Sequence, residues 1–305
     1  MRTAVRIVLL SIAALAVLAG AGRAAQGKFY IVGMGTTNDL VTVRGINVIK
    51  AADIFLLESQ SDAELWKEFI GQKEVWFCPN ASRVFYGVDT KTITDPTARA
   101  VAEKLDAIRR QTMDKIAAAV RAGKNVASLQ GGDPMMYGMT WYLELLPKDI
   151  PREIVPGVGA FNAASAAVEM SPPYAWDTDS VILTIPDWPG RAATNEQLME
   201  AKSSMFFYTM GLVNYPELFE QLRRYYPLDT PVAVVSYAGD RGKQQVIRST
   251  VGRFLQEVDY QKLPNNMHML LVGKFLTVGQ ARKEGVASGR DMTRLLRELS
   301  EYDTK

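Results

Sequence analysis

Gly131-Gly132-Asp133-Pro134-Met135-Met136-Tyr137-Gly138 is the stretch on which the reading of this chain turns. It follows Gly123-Lys124-Asn125-Val126-Ala127-Ser128-Leu129-Gln130, which reads as a helix stop and then a short buried strand. Met139 to Leu146 is apolar with an embedded acid and predicts a helix. Two glycines, an acid and a proline therefore stand where a strand gives way to a helix. In open α/β sheets, ligands bind at the carboxyl ends of strands. Glycines there let backbone approach a ligand closely. The same residues also make an ordinary turn, so the weight of the stretch comes from what flanks it.

Upstream, Lys28 to Val32 reads as a first strand running into Gly33-Met34-Gly35-Thr36-Thr37-Asn38-Asp39-Leu40. Two glycines and several short polar residues suit a ligand-approach loop. The third glycine of a dinucleotide fingerprint is missing at the required spacing. Thr42 to Ala52 has helical spacing, and Asp53 to Glu58 is a second buried strand ending in an acid. Ser61 to Ile70 predicts a helix and Glu74 to Phe77 a short strand. Asp95-Pro96 opens a long helix, with an acceptor at the cap and proline in the first turn. After the focal loop come a strand at Arg152 to Val155 and then Pro156-Gly157-Val158-Gly159-Ala160. Strand and helix alternate throughout, which implies a mainly parallel sheet.

Phe161 to Val168 is small and apolar, and Ser171-Pro172-Pro173 breaks it. Strands follow at Ser180 to Ile185, Ser204 to Tyr208, Pro231 to Ser236, Gln245 to Ser249 and Met267 to Val272, with a helix at Tyr215 to Tyr225. Arg241-Gly242-Lys243 reads as a hairpin tip, so this second sheet is expected to be mixed. The expected fold is α/β in two α/β domains, 26–158 and 159–289. A charged amphipathic helix in 290–305 follows them.

The chain has 305 residues, 48% hydrophobic and 22% charged, which is globular composition and long enough for two domains. Its first 25 residues differ from the rest. Arg2 and Arg6 precede the apolar run Ile7 to Leu18, and small residues follow. That is the layout of a secretory signal peptide, with cleavage after Ala24 or Ala25. The expected location is exported and periplasmic; an uncleaved segment would instead anchor the chain to a membrane. Loss of Arg2, Arg6 and Arg23 takes the net charge from +2 to −1. No Lys/Arg cluster interleaves with aromatics, which argues against a nucleic-acid partner held by phosphate contacts. Cys78 is the single cysteine and His268 the single histidine. An intrachain disulfide is therefore excluded, and a zinc site is not expected. His268 stands in the apolar run Met267 to Val272 and reads as a strand residue.

Taken together, the chain resembles the tetrapyrrole methylases, S-adenosylmethionine-dependent enzymes of corrin and sirohaem synthesis. Five blocks carry the resemblance, which runs from about Lys28 to Lys274. They are Tyr30-Ile31-Val32-Gly33-Met34-Gly35, Gly131-Gly132-Asp133-Pro134 with Tyr137-Gly138, Val155-Pro156-Gly157-Val158-Gly159-Ala160, Phe207-Tyr208-Thr209-Met210-Gly211 and Thr230-Pro231-Val232-Ala233-Val234-Val235. Val181 to Thr184 with Gly190-Arg191 looks most like the branch that methylates precorrin-4.

The resemblance implies a cofactor cleft between the two domains, a homodimer, and S-adenosylmethionine as cofactor. By position it gives Gly131, Gly132, Asp133, Met136, Gly159, Ala160, Met210 and Ala238 as cofactor contacts, with Gly33, Gly35 and Thr36 in a loop facing the substrate. It places Glu58 where one branch uses an aspartate in proton transfer. Arg44, Arg83 and Lys91 are candidate anchors for substrate carboxylates. The expected function is methyl transfer to a tetrapyrrole-like acceptor, with no metal. The alternative is an exported, non-catalytic protein holding a tetrapyrrole or nucleoside-like ligand on the same fold.

Overall fold

A computed structural model describes residues 26–172, 180–188, 191–192, 194–211, 213–277 and 292–302. The signal-peptide segment and Gly190 of the precorrin-4 block lie outside the described residues. The chain divides into two compact units, Met1–Ala164 with Tyr237–Gln244, and Ser165–Ser236 with Gln245–Lys305. Among the described residues no helix is long and apolar enough to cross a membrane.

The first unit is built on β1 (Phe29–Gly33), α1 (Val43–Ala51), β2 (Ile54–Leu57), α2 (Gln60–Leu65), α3 (Lys67–Ile70), β3 (Glu74–Phe77), α4 (Pro96–Arg121), β4 (Val126–Gln130), α5 (Trp141–Leu145) and β5 (Arg152–Val155). The helix α6 (Ala160–Val168) carries the chain out of it. The five strands are all parallel in the order β3-β2-β4-β1-β5. Central β2 and β4 are buried at every residue, as a strand covered on both faces must be, whereas edge strands β3 and β5 are partly exposed.

The sheet carries two separate cores. Phe29, Ile31, Ile54 and Leu56 pack with Met113, Ile116 and Val120 of α4 and Tyr142 of α5. Val32, Phe55, Leu57 and Leu129 pack on the other face with Val48 and Ile49 of α1 and Ile70 of α3. Each such buried side chain contributes roughly 1.5–3 kcal/mol. Helix starts follow their caps. Thr42 accepts from Gly45 N at 3.1 Å, and Asp95 accepts from Ala98 N at 2.6 Å ahead of Pro96. Beyond α4, Gly123 turns into the left-handed region (φ 85°) and ends the helix.

Two expected helices differ. Ser61 to Ile70 is not continuous, because Trp66 leaves helical geometry (φ −108°, ψ 17°) as its indole enters the core. The helix expected from Met139 begins at Trp141, because Met139 N donates to the Gln130 side chain at 3.2 Å.

The second unit holds β6 (Val181–Thr184), α7 (Asn195–Met199), β7 (Ser204–Tyr208), α8 (Tyr215–Tyr225), β8 (Pro231–Ser236), β9 (Gln245–Thr250), α9 (Phe254–Glu257), β10 (His268–Val272) and α10 (Met292–Tyr302). Its sheet runs β6-β7-β10-β8-β9, with β6 and β7 parallel and the remaining pairs antiparallel. The β8–β9 hairpin is closed at its tip by Asp240, whose Oδ1 accepts from Gly242 N and Lys243 N at 2.9 and 3.0 Å. Leu218, Phe219 and Leu222 of α8 cover one face through Met205, Phe207, Val234 and Leu270.

Candidate functional site

The carboxyl ends of β1, β4 and β5 meet in a junction of glycine backbone. Gly33 stands opposite Gln130 in the β1–β4 register. Two residues on, Gly132 N donates to Gly35 O at 2.7 Å and Gly35 N returns the bond to Gly132 O at 3.2 Å. Gly157, beyond β5, lies against both. A Cβ on Gly157 would stand 2.2 Å from Gly132 O, and one on Gly33 would stand 2.4 Å from Gly157 N. No side chain fits at either position. Gly35 and Gly132 also hold left-handed backbone, φ 73° and 70°. Gly131 and Gly132 are different in one respect: a Cβ at either would meet nothing within 4 Å.

Asp133 closes the turn on itself, its Oδ1 accepting from Met135 N at 2.8 Å and its backbone O from Met136 N at 3.1 Å. Gly159 is buried against it, since a Cβ there would lie 3.4 Å from Asp133 Cβ. Ala160 starts α6, and Gly159 O accepts from Ala163 N at 3.1 Å. Met136 projects apolar surface at the loop tip, 37% exposed. Ala238 lies in the Tyr237–Gln244 segment of the first unit, half-buried. Its neighbour Gly239 (φ 89°) packs so closely that a Cβ would stand 2.7 Å from Thr36 Oγ1. Thr36 Oγ1 is buried without a hydrogen-bond partner. The first unit therefore brings together Gly33, Gly35, Thr36, Gly131, Gly132, Asp133, Met136, Gly159, Ala160 and Ala238. Met210 belongs to the second unit, where it follows β7 and is 39% exposed. The turn after it is pinned by Gly211 N donating to Asn266 Oδ1 at 2.5 Å.

Glu58 follows β2, next to β4 in the sheet. Burial pushes its carboxyl up from the ordinary glutamate range, Asp62 adds to that, and Arg83 opposes it. The phenol of the fully buried Tyr142 is pushed far up by desolvation, with further contributions from Cys78 and the Glu58 charge. Gln130 Nε2, Trp141 Nε1 and Tyr142 OH are all buried without partners. The three expected anchors Arg44, Arg83 and Lys91 are all exposed, and of them Arg83 is the one whose charge opposes the upward shift of Glu58. His268 opens β10 with both ring nitrogens engaged, Nδ1 with Pro264 O at 2.7 Å and Nε2 with the Tyr215 hydroxyl. Burial lowers its pKa, so the neutral ring donates from Nδ1 and accepts at Nε2. Cys78 is buried beside Ser82. Among the described residues no group of three or more His, Cys, Asp or Glu is placed to hold a metal.

Sequence reasoning passed over Gly157 as a site residue and missed Gln130, Tyr142 and Arg109. Arg109 left a signal. It is a cation on the otherwise apolar stripe Ala102, Met113, Ile116, Ala117, Val120 of α4.

Residues 28–255 match the model of the Tetrapyrrole (Corrin/Porphyrin) Methylases. The chain belongs to that family. A sirohaem synthase of Hydrogenovibrio crunogenus is 27% identical over 83% of this chain and 50% of its own length. A cobalt-precorrin-4 C(11)-methyltransferase of Priestia megaterium is 28% identical over 73% of this chain and 79% of its own. The uroporphyrin-III C-methyl transferase of Thermus thermophilus, solved in complex with S-adenosyl homocysteine, superposes with a TM-score of 0.59 at 17% identity, covering 82% of this chain and 99% of that one. That likeness shows the fold, an α/β architecture. The chain spans about half the length of the sirohaem synthases it matches. These relatives carry the names of synthases and methyltransferases, and the expectation of a non-catalytic binding protein finds no support among them.

Proposed function

We propose that this methylase-family chain transfers a methyl group from S-adenosylmethionine to a carbon of a tetrapyrrole acceptor. The observation that carries the reading is the open face of Gly131 and Gly132 on a junction otherwise closed by backbone. Adenosine and a methionine tail are polar and need backbone groups at close range, which side-chain-free positions provide. The residues of the first unit fit that cofactor: Gly131, Gly132 and Asp133 offer backbone, Gly159, Ala160 and Ala238 are small, and Met136 offers apolar thioether surface.

When bound, the cofactor supplies a methyl group on a sulfonium, already a good leaving group. The chain's part is therefore positioning and proton removal. Glu58 is the group that takes the proton: Leu56 pairs with Ser128, so Glu58 stands at the strand ends level with Gln130 and the glycine junction, and burial raises its pKa above that of an exposed glutamate. Arg83, exposed beside it, suits an acceptor carboxylate. The relative acting on cobalt-precorrin-4 supports a ring carbon of a corrin precursor as the finer assignment. We further propose that the protein is exported and acts as a homodimer.

Calorimetric titration of the mature protein with S-adenosylhomocysteine tests the reading. Saturable binding of one molecule per chain is expected, and its absence at millimolar ligand would remove the cofactor from the proposal.

A further inference from the structure

Arg109 lies on the buried stripe of α4 with 2% of its surface exposed. Its Nη1 donates to two backbone carbonyls, Ser82 O at 2.6 Å and Val84 O at 3.1 Å. Its Nη2 is 3.5 Å from Asp106 Oδ1, and its guanidinium lies 5.6 Å from the centre of the Tyr86 ring. Tyr86 in turn donates its hydroxyl to Glu144 Oε2 at 2.6 Å, a bond that pushes the phenol up to about 12. Burying a cation is unfavourable unless its partners are well placed. Here Nε has no partner, so the guanidinium is fixed chiefly by the two carbonyls. Those carbonyls belong to the residues on either side of Arg83.

The Arg83 segment is tied to the end of β2, since Cys78 N donates to Leu57 O at 2.8 Å and Cys78 Sγ lies 3.5 Å from Ser82 Oγ. From there the Arg83 charge opposes the upward shift of Glu58, the residue after Leu57. The other groups that couple to that carboxyl are Asp62 on α2 and Tyr142 on α5. Arg109 meets this segment through the Ser82 and Val84 carbonyls, so its effect on Glu58 passes through the backbone that it holds. We infer that Arg109 is a positioning residue: it clamps the Ser82–Val84 backbone and so presents the Arg83 cation to the Glu58 carboxyl. A Lys at this position keeps the charge but loses the planar fork that reaches two carbonyls at once. The consequence for catalysis rests on the proposal that Glu58 is the base. The positioning itself does not, because the Glu58 titration can be read in an inactive protein.

The test is carboxyl NMR titration of the full mature chain, with the Glu58 signal assigned by its loss in Glu58→Gln. Arg83→Gln withdraws a cation that favours ionisation, so the Glu58 midpoint should move to higher pH. Arg109→Lys should move it the same way, and the double variant should move it no further than Arg83→Gln alone. Arg110→Gln, which removes an exposed cation one residue along the same helix, should leave it in place.

A Glu58 midpoint unchanged in Arg109→Lys but shifted in Arg83→Gln overturns the inference. So does a midpoint that ignores Arg83→Gln, or one that follows Arg110→Gln as far as Arg109→Lys. Should Arg109→Lys fail to fold, the parent decides. Its Arg109 Nη protons should give resolved, slowly exchanging signals that persist in Arg83→Gln, and freely exchanging signals overturn the clamp. If the Glu58 titration behaves as expected but Glu58→Gln retains full methyl transfer, the assignment of the base fails and the positioning stands.

Discussion

Gly131→Ala distinguishes a ligand cradle from a turn. The Gly131 backbone lies outside the left-handed region, and a Cβ there meets no atom within 4 Å. Folding should tolerate the methyl. Restricting the unfolded chain should even raise stability by about 0.4–1 kcal/mol, at most roughly 4 °C in melting temperature for a unit of this size. Binding should suffer, because the methyl stands in the space assigned to S-adenosylhomocysteine. A tenfold loss, about 1.4 kcal/mol, is expected.

Gly157→Ala should show the reverse pattern. Its methyl would stand 2.2 Å from Gly132 O, against backbone that cannot turn aside. Overpacking of that kind costs about 1–3 kcal/mol, read as a lower melting temperature without ligand. Gly132→Ala is less informative, because its open Cβ comes with φ 70° and so about 1–2 kcal/mol of backbone strain. Calorimetric titration and ligand-free melting of the Gly131 and Gly157 variants would be run side by side. A Gly131→Ala protein that melts like the parent and binds the ligand as tightly would refute the cradle.

Glu58→Gln should lower kcat with KM little changed if the carboxylate takes its proton only in the transition state. The same substitution bears on stability. Glu58 holds its proton to higher pH when folded than when unfolded, so stability falls as pH rises from its unfolded value through its folded one and is level above. Urea midpoints over that window should fall in the parent and stay flatter in Glu58→Gln; parallel curves would contradict the raised pKa. Arg191→Met should cost about 3 kcal/mol in urea unfolding, because it strips the half-buried Asp187 of its 2.9 Å ion pair. A loss under about 1 kcal/mol would mark that pair as a surface one. Intact mass of the protein from its native host should show a new start near Ala25 or Gln26; a full-length soluble cytosolic chain would contradict export.

The elements that sequence places best are those whose burial is uniform. β2 is an unbroken apolar run and β4 is apolar or small up to Gln130 at its carboxyl end, because a parallel sheet covered on both faces leaves such strands no solvent face. The N-terminal caps of α1 and α4 are also local and therefore visible. The break at Trp66 is not, because the pattern from Gln60 to Ile70 stays helical and only the fit of one indole decides it. Nor is the membership of Tyr237–Gln244 in the first unit, which depends on Gly239 meeting Thr36 and Leu40 from far along the chain. Arg109 could have been found from its place on an apolar stripe. Its partners are backbone carbonyls, which no side-chain pattern announces.

The sequence reads Gly33, Gly35, Gly131 and Gly132 as serving close approach to a ligand and passes over Gly157, but the glycines of the strand ends do two different jobs. Gly33 and Gly157 face other backbone, and folding alone demands them. Gly132 is demanded by its left-handed φ. The turn is completed by Asp133, which satisfies Met135 N through its own side chain. Gly131 is left over. Its φ suits any residue, its Cβ would meet nothing, and as a glycine it leaves the unfolded chain more freedom than alanine would. Neither packing nor turn geometry asks for glycine there. A ligand lying against the backbone at that point supplies the missing reason, which is why the proposal rests on Gly131 rather than on the residues around it.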